Sequence, residues 1–173
     1  MSINSDEKTL YRPVAAIAVV RNPIKSQEFE QSDFHSISRQ PDQTLYLFVK
    51  KPRTDHAWQF PQGGVKFKKR KETLKEAALR ELSEECGSDL QVNVLEQEPF
   101  HIYQYDFPSD FVQKKKRNYK GAQVQFIKAE WISGQCQPDG KEIIDFAWLT
   151  RDEILQFVST EYGNGIMPLF KST

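Results

Sequence analysis

Apolar runs and alternations along the chain predict a series of β-strands. Val14 to Val20 form a continuous apolar run between Pro13 and Pro23, which is typical of a strand buried on both faces. Residues 44–50 (TLYLFVK) predict a second strand, and apolar side chains on both of its faces favour a central position. Shorter extended segments are predicted over residues 57–60, 90–95, 101–107, 122–132 and 143–149.

Helices are fewer than strands in this pattern. Residues 72–86 predict the clearest helix, and Gly87 is a plausible stop. Thr150 can cap a second helix over residues 151–158, and a short final helix is possible near residues 167–171. A polar surface loop over residues 21–43 and a break at Gly63-Gly64 separate these elements. The order of elements predicts an α+β or α/β fold, as a single domain over residues 11–173 after a tail of residues 1–10.

Composition excludes several classes of protein for this chain. The 173 residues are 38% hydrophobic, enough for one domain with a sizeable core. Lys+Arg and Asp+Glu both number 24, so net charge gives no argument for nucleic acid. Two cysteines cannot form a disulfide framework, and no apolar run approaches the ~20 residues of a membrane span. The first eight residues have the pattern of neither a signal peptide nor an arginine-rich transit peptide.

The main predicted helix carries three glutamates on its apolar face. At about 100° per residue, Glu81, Glu84 and Glu85 continue the stripe that begins with Leu74 and Ala78. Like charges at these spacings repel by about 0.2–0.5 kcal/mol per pair, and a hard divalent cation would remove that cost. A solvated acidic face is the alternative, and the spacing alone leaves both open.

The sequence of this helix and of the residues before it resembles the Nudix box. Glu72 is followed after seven residues by Arg80-Glu81-Leu82-Ser83-Glu84-Glu85-Cys86-Gly87, and residues 58–64 (WQFPQGG) look like the strand that leads into such a box. The resemblance implies a Nudix fold, in which a mixed β-sheet is sandwiched between helices. It also implies a catalytic site of Glu81, Glu84, Glu85, Arg80 and Glu72. In that site Glu81, Glu84 and Glu85 would bind Mg²⁺ or Mn²⁺, and Arg80 with Glu72 would orient them.

The chain departs from the box at two positions. Lys66 stands where the box opens with glycine, Gly64 comes two residues too early, and Ser88 replaces the aliphatic residue after Gly87. The loop before the helix is therefore longer, and it is basic. Two basic runs are candidates to bind substrate or RNA phosphates, and simple solubility is the alternative for each. They comprise Lys66, Lys68, Lys69, Arg70 and Lys71, and then Lys114, Lys115, Lys116 and Arg117.

A second resemblance extends over most of the chain. Residues 11–16, 45–49, 99–108, 121–129 and 146–154 are similar, in order, to the mitochondrial large-subunit ribosomal protein family numbered forty-six. Members of that family usually carry a degraded box, whereas this chain keeps all the box glutamates. The resemblance implies a structural protein of the mitochondrial large ribosomal subunit, with rRNA and neighbouring ribosomal proteins as partners and a mitochondrial location.

The sequence therefore supports two functions. We favour the ribosomal role, because the longer resemblance separates branches of the superfamily. The alternative is a Mg²⁺- or Mn²⁺-dependent pyrophosphohydrolase of a nucleoside diphosphate linked to another group. In support of this alternative, the WQFPQGG segment of this chain also looks like that of dinucleoside polyphosphate and RNA 5′-pyrophosphate hydrolases. Trp58, Tyr103 and Tyr105 could stack a base in such an enzyme, although aromatic residues in strands more often belong to the core.

Overall fold

Two long parallel strands organise the sheet. The computed structural model describes residues 10–25, 33–67, 69–108 and 119–170. Strand β1 (Tyr11–Arg21) runs parallel to β7 (Gly121–Ser133), with Tyr11 opposite Gly121 and Val20 opposite Glu130. The other strands are β2 (Leu45–Lys50), β3 (Trp58–Gln59), β4 (Gln62–Gly64), β5 (Gln91–Val94), β6 (His101–Asp106) and β8 (Asp145–Leu149). The helices are α1 (Leu74–Cys86), α2 (Arg151–Phe157) and α3 (Thr160–Ile166), followed by a 3₁₀ turn (Met167–Phe170).

The long strands change partners halfway along their length. The first half of β1 pairs with β4 and the first half of β7 with β6, both antiparallel. The second halves pair with β2 and β5, and β2 also carries β3 and β8. The sheet is therefore mixed, as predicted, and β1 with β7 forms its spine.

Strand β1 is buried on both faces, which accounts for its continuous apolar run. Ala15, Ile17 and Val19 belong to the core beneath α1. The alternate residues Ala16 and Ala18 belong to the core that contains side chains of α2, α3 and the 3₁₀ turn. Helices thus cover both faces of a mixed sheet, and the predicted sandwich is confirmed.

Helix α1 begins two residues later than predicted. Thr73 is its N-cap, with a capping box in which the Thr73 side chain accepts from Glu76 N–H and the Glu76 carboxylate accepts from Thr73 N–H. Glu72 consequently lies in the preceding loop. At the other end, Gly87 has a φ of 82° and caps the helix, so the predicted stop is confirmed.

Two short elements were missing from the predicted pattern. Gly63-Gly64, predicted as a break, belongs to strand β4 against β1. Helix α3 contains Gly163 and Gly165, which are poor helix formers, so no helical pattern was evident; Ser159 caps it and accepts from Tyr162 N–H. Thr150 caps α2 as predicted. No helix in the described ranges is both long and apolar enough to cross a membrane.

Arg21 is not a surface loop residue, contrary to the predicted boundary. It ends β1 with 1% of its surface exposed and donates to the carbonyl oxygens of Ile37, Arg39, Gln40 and Gln43. The described part of the loop, residues 33–43, is therefore tied to the sheet by one guanidinium. Satisfying several carbonyls at once compensates for burying the charge.

A second buried arginine fastens this loop to α2. Arg39 is 3% exposed and forms a bidentate pair with Glu153, at 2.7 and 2.6 Å. Arg39 also donates to Trp148 O at 2.9 Å and lies over the Phe34 ring. Burial of Glu153 opposes ionisation, but hydrogen bonds from Arg39 and Thr150 lower the pKa of its carboxyl below the usual value.

We expect Glu153→Gln to lower the free energy of unfolding by about 3 kcal/mol, because it leaves the Arg39 charge buried without its counter-ion. Glutamine keeps the volume and the capping interaction with Thr150. Because the carboxyl pKa is lowered by folding, the difference should be full above the pKa of about 4.3 of an unfolded glutamate and vanish as pH falls further. Urea unfolding of the wild type and the variant at several pH values measures this difference in the free energy of unfolding.

Glu76→Gln is the matched control. Glu76 occupies the same capping position in α1 and forms a bidentate pair with Arg70, but both side chains are exposed. Solvent screening makes us expect little change in stability from this variant. Equal effects of the two substitutions would contradict the role given to the buried pair.

Candidate functional site

The Arg80 guanidinium joins three segments at the site. It donates to Glu72 through Nε (2.8 Å) and Nη2 (2.9 Å), and to Gly64 O through Nη2 (2.9 Å). Its Nη1 donates to Glu81 at 2.7 Å and lies 3.3 Å from a Glu84 oxygen. Arg80 and Glu72 lie eight residues apart along the chain, and they pair because Glu72 lies before the helix. These hydrogen bonds, above all those to Glu72, raise the pKa of Arg80.

Strand β4 approaches α1 closely at Gly63. A Cβ at this position would overlap the Glu81 carboxylate, so only glycine allows this packing. Glu81 is 9% exposed, and burial raises the pKa of its carboxyl although Arg80 opposes the shift. The first of the two glycines of WQFPQGG therefore lets a carboxylate lie directly against the sheet.

Glu85 is a fully buried carboxylate with no hydrogen-bond partner in the described ranges. Its exposure is 0%, both of its oxygens lack a partner, and Lys51 Nζ is 3.7 Å from Oε1. Burial raises the pKa of Glu85 to about 8. An ionised carboxylate is costly to bury unless it is paired or coordinates a metal, so this side chain fits the role of a cation ligand.

Glu142 completes an acidic cluster with the two buried glutamates. One carboxylate oxygen from each of Glu81, Glu85 and Glu142 lies within 4.8 Å of the others. Glu142 is exposed and precedes β8, in a turn where Asp139 Oδ1 accepts from the backbone N–H groups of residues 141–143. Three carboxylates at this spacing offer the oxygen ligands that Mg²⁺ and Mn²⁺ prefer.

Sequence reasoning missed Glu142 and included Glu84. The Asp139-Gly140 pair indicates a turn, but nothing in the sequence indicates that the turn lies against α1. Glu84 has 46% of its side chain exposed and contacts Arg80 from the rim of the helix. It lies outside the cluster of Glu81, Glu85 and Glu142. A metal role for Glu84 stays a prediction.

The basic loop before α1 is exposed. Lys66, Lys69 and Lys71 project into solvent, whereas Arg70 is bound to Glu76. Lys66 N–H donates to Glu72 at 2.8 Å, so the loop backbone is tied to the residue that holds Arg80. Lys68 and the second basic run, residues 114–117, lie outside the described residues. Phosphate binding by either run stays a prediction.

A cleft of about 500 Å³ lies on the face of the sheet that packs on α2 and α3, opposite α1. Its lining includes Arg53, Trp58, Gln62, Tyr103, Tyr105 and Glu161. Gln62 lines this cleft, whereas the next residue, Gly63, packs on Glu81 from the opposite face of β4. The three aromatic residues singled out from the sequence are thus brought together in one cleft, although base stacking there is still a prediction.

Comparison with known proteins gives a family for this chain and several relatives. The family profile described as NUDIX domain matches residues 32–170. An RNA pyrophosphohydrolase of Nitratiruptor sp. is 35% identical over 157 residues, which cover 88% of this chain and 86% of that protein. The large ribosomal subunit protein mL46 of Neurospora crassa is 28% identical over 156 residues, 86% of this chain but 41% of that protein. An RNA pyrophosphohydrolase of Campylobacter jejuni is 40% identical over 88 residues. The matches span about half the length of the last two relatives.

Solved structures share the fold at low sequence identity. A Caenorhabditis elegans Ap4A hydrolase in a binary complex has a TM-score of 0.60 at 16% identity, covering 88% of this chain and 90% of that chain. The dihydroneopterin triphosphate pyrophosphohydrolase of Escherichia coli has a TM-score of 0.57 at 15% identity, covering 93% and 97%. At these identities the likeness concerns the fold alone.

We expect Mn²⁺ to raise the melting temperature of the protein, because an ion bound only by the folded state stabilises it. Glu85→Gln should remove this effect. Glu142→Gln should weaken Mn²⁺ affinity about tenfold or more, and by more than Glu84→Gln, because Glu84 lies on the exposed rim. Calorimetric titration of the three variants with Mn²⁺ measures their affinities for the ion and so the order of these effects. A larger loss in Glu84→Gln than in Glu142→Gln would favour the ligand set implied by the box over the cluster.

Proposed function

Because the chain belongs to the Nudix family, we propose that it is a Mg²⁺- or Mn²⁺-dependent pyrophosphohydrolase of nucleoside diphosphates linked to another group. The observation that carries this proposal is the buried carboxylate of Glu85, which accepts no hydrogen bond in the described ranges and lies within 4.8 Å of Glu81 and Glu142. In the described ranges the 3.7 Å contact with Lys51 offsets part of the cost of burying this charge, and a bound cation would offset more of it. The proposal therefore rests on the ability of these three carboxylates to bind a cation.

Substrates with a polyphosphate at a nucleotide end fit the site best. The relative from Nitratiruptor, an RNA pyrophosphohydrolase, matches over nearly the whole of both chains. We propose 5′-triphosphorylated RNA and dinucleoside polyphosphates as the substrate classes. Lys66, Lys69 and Lys71 at the edge of the site would attract the phosphates, and their contribution would fall with added salt.

Each residue of the site has a distinct proposed task. Glu81, Glu85 and Glu142 would hold the divalent cation, which when bound supplies charge neutralisation of the diphosphate and activation of the attacking water. Arg80 fixes Glu81 through the 2.7 Å hydrogen bond, and Glu72 fixes Arg80. Glu84 remains solvent-accessible at the rim, so its carboxylate is the proposed general base that removes a proton from that water.

The test is hydrolysis of triphosphorylated RNA and of dinucleoside tetraphosphate by the purified chain, with Mg²⁺ or Mn²⁺ present. We expect release of pyrophosphate or nucleotide that EDTA abolishes. Glu84→Gln and Glu85→Gln should each lower kcat by about 100-fold or more. Asp152→Asn is the control, because this acidic residue is exposed in the first turn of α2, away from the site. Wild-type rates in both glutamate variants would refute the assigned chemistry.

A ribosomal role is the second candidate function. The similarity to mL46 covers 86% of this chain, and this extended likeness is the observation that favours it. We propose in this case a component of the mitochondrial large ribosomal subunit that contacts rRNA or neighbouring proteins. The two roles are compatible, since a ribosome-bound protein can keep a metal site.

Sedimentation separates the second role from the first. If the chain is a ribosomal component, we expect it to sediment with the large subunit from mitochondrial lysates after a high-salt wash. A loosely attached basic protein would be released by that wash, because its phosphate contacts are screened. Recovery of the protein only in the soluble fraction would exclude the ribosomal role.

A further inference from the structure

The cleft on the α2 and α3 face of the sheet has the size of a nucleoside site. Its volume of about 500 Å³ lies within the range of small-molecule pockets. Gln62 lines it, and the adjoining Gly63 packs on Glu81 from the other face of β4, so the phosphates of a nucleoside in the cleft would have to pass around β4 to reach the acidic cluster. The inference below rests on the proposed enzymatic function and deepens it by naming the base.

A rigid aromatic platform forms part of the cleft. Tyr103 and Tyr105 lie on the same face of β6, with ring centroids 5.2 Å apart and planes inclined at 30°. Tyr103 packs against Gly165 of α3, where any side chain would overlap the ring. Both tyrosines are half-buried, so they keep a partly open surface. An aromatic surface held this way favours stacking of a planar base without selecting which base binds.

The polar lining of the cleft includes donors such as Arg53 and Gln62 and the carboxylates of Asp106 and Glu161. Glu161 is exposed, lines the cleft, and forms no hydrogen bond or ion pair within the described part of the chain. Its charge adds to burial in raising the pKa of Tyr103 and of Tyr105, which indicates that the carboxylate lies near both rings. The neighbouring Asp106 already accepts from Tyr11 Oη at 2.6 Å, and Arg53 donates to His56 O.

We propose that the cleft selects guanine, which stacks on Tyr103 and Tyr105 and donates N1–H and its 2-amino group to Glu161. An ionised carboxylate only accepts hydrogen bonds, and guanine offers two adjacent donors on one edge. Adenine and cytosine each offer one donor next to a ring acceptor, and the ring acceptor repels the carboxylate. Because Glu161 is exposed, water can replace the missing hydrogen bonds, and we expect a moderate preference for guanine.

Binding of GMP and AMP to the full chain in EDTA tests this proposal by calorimetry. Neither nucleotide has a diphosphate bond and the cation is absent, so the result does not depend on hydrolysis. We expect GMP to bind at least tenfold more tightly than AMP. Glu161→Gln should weaken GMP about tenfold and leave AMP unchanged, whereas Tyr105→Leu should weaken both about tenfold.

Asp152→Asn is the matched control for Glu161→Gln, since it removes an exposed acidic group from the first turn of the neighbouring helix. Unchanged melting temperatures of both variants show that the fold is intact. Equal affinities for GMP and AMP, or a guanine preference that survives Glu161→Gln, would overturn the proposal. Hydrolysis without guanine preference refutes only the base assignment, and guanine preference without hydrolysis refutes only the enzymatic function.

Discussion

The Arg80 guanidinium is the interaction on which the arrangement of the site depends. It binds a loop residue, a strand carbonyl and two helix carboxylates at once, and these groups come from three segments of the chain. Negative charges this close repel one another, and a single planar cation with five donors offsets that repulsion while fixing geometry. Glu72 completes the arrangement because α1 starts after it, which leaves its side chain free to turn back toward the helix.

Burial divides the glutamates of α1 into two kinds. Glu81 and Glu85 face the sheet, where low polarity strengthens every interaction of a charge, and Glu84 faces water. The sheet can approach this part of the helix because residue 63 lacks a side chain. The third carboxylate of the cluster comes from the turn before β8, so the fold, more than the helix, assembles the cluster.

The sequence was most informative where a pattern has a local physical cause. Two-sided burial of β1, the cap at Thr150 and the stop at Gly87 all follow from neighbouring residues, and the structure contains each of them. The features that the sequence did not predict depend on tertiary contacts. Gly63-Gly64 indicates a break from propensity alone, yet β1 holds it as a strand. The position of Glu142 and the burial of Arg21 depend on segments far apart in the chain, which periodicity cannot relate.

The parallel pairing of β1 with β7 has a consequence for how the protein reaches this state. Partners such as Ala15 and Gln125 are separated by roughly a hundred residues, so the spine of the sheet forms only after a long loop has closed. Contacts of such long range slow folding. During synthesis β1 can pair early with β2 and β4, but its other edge stays unpaired until β7 has emerged from the ribosome. Until then it is exposed to aggregation and is a candidate for chaperone protection.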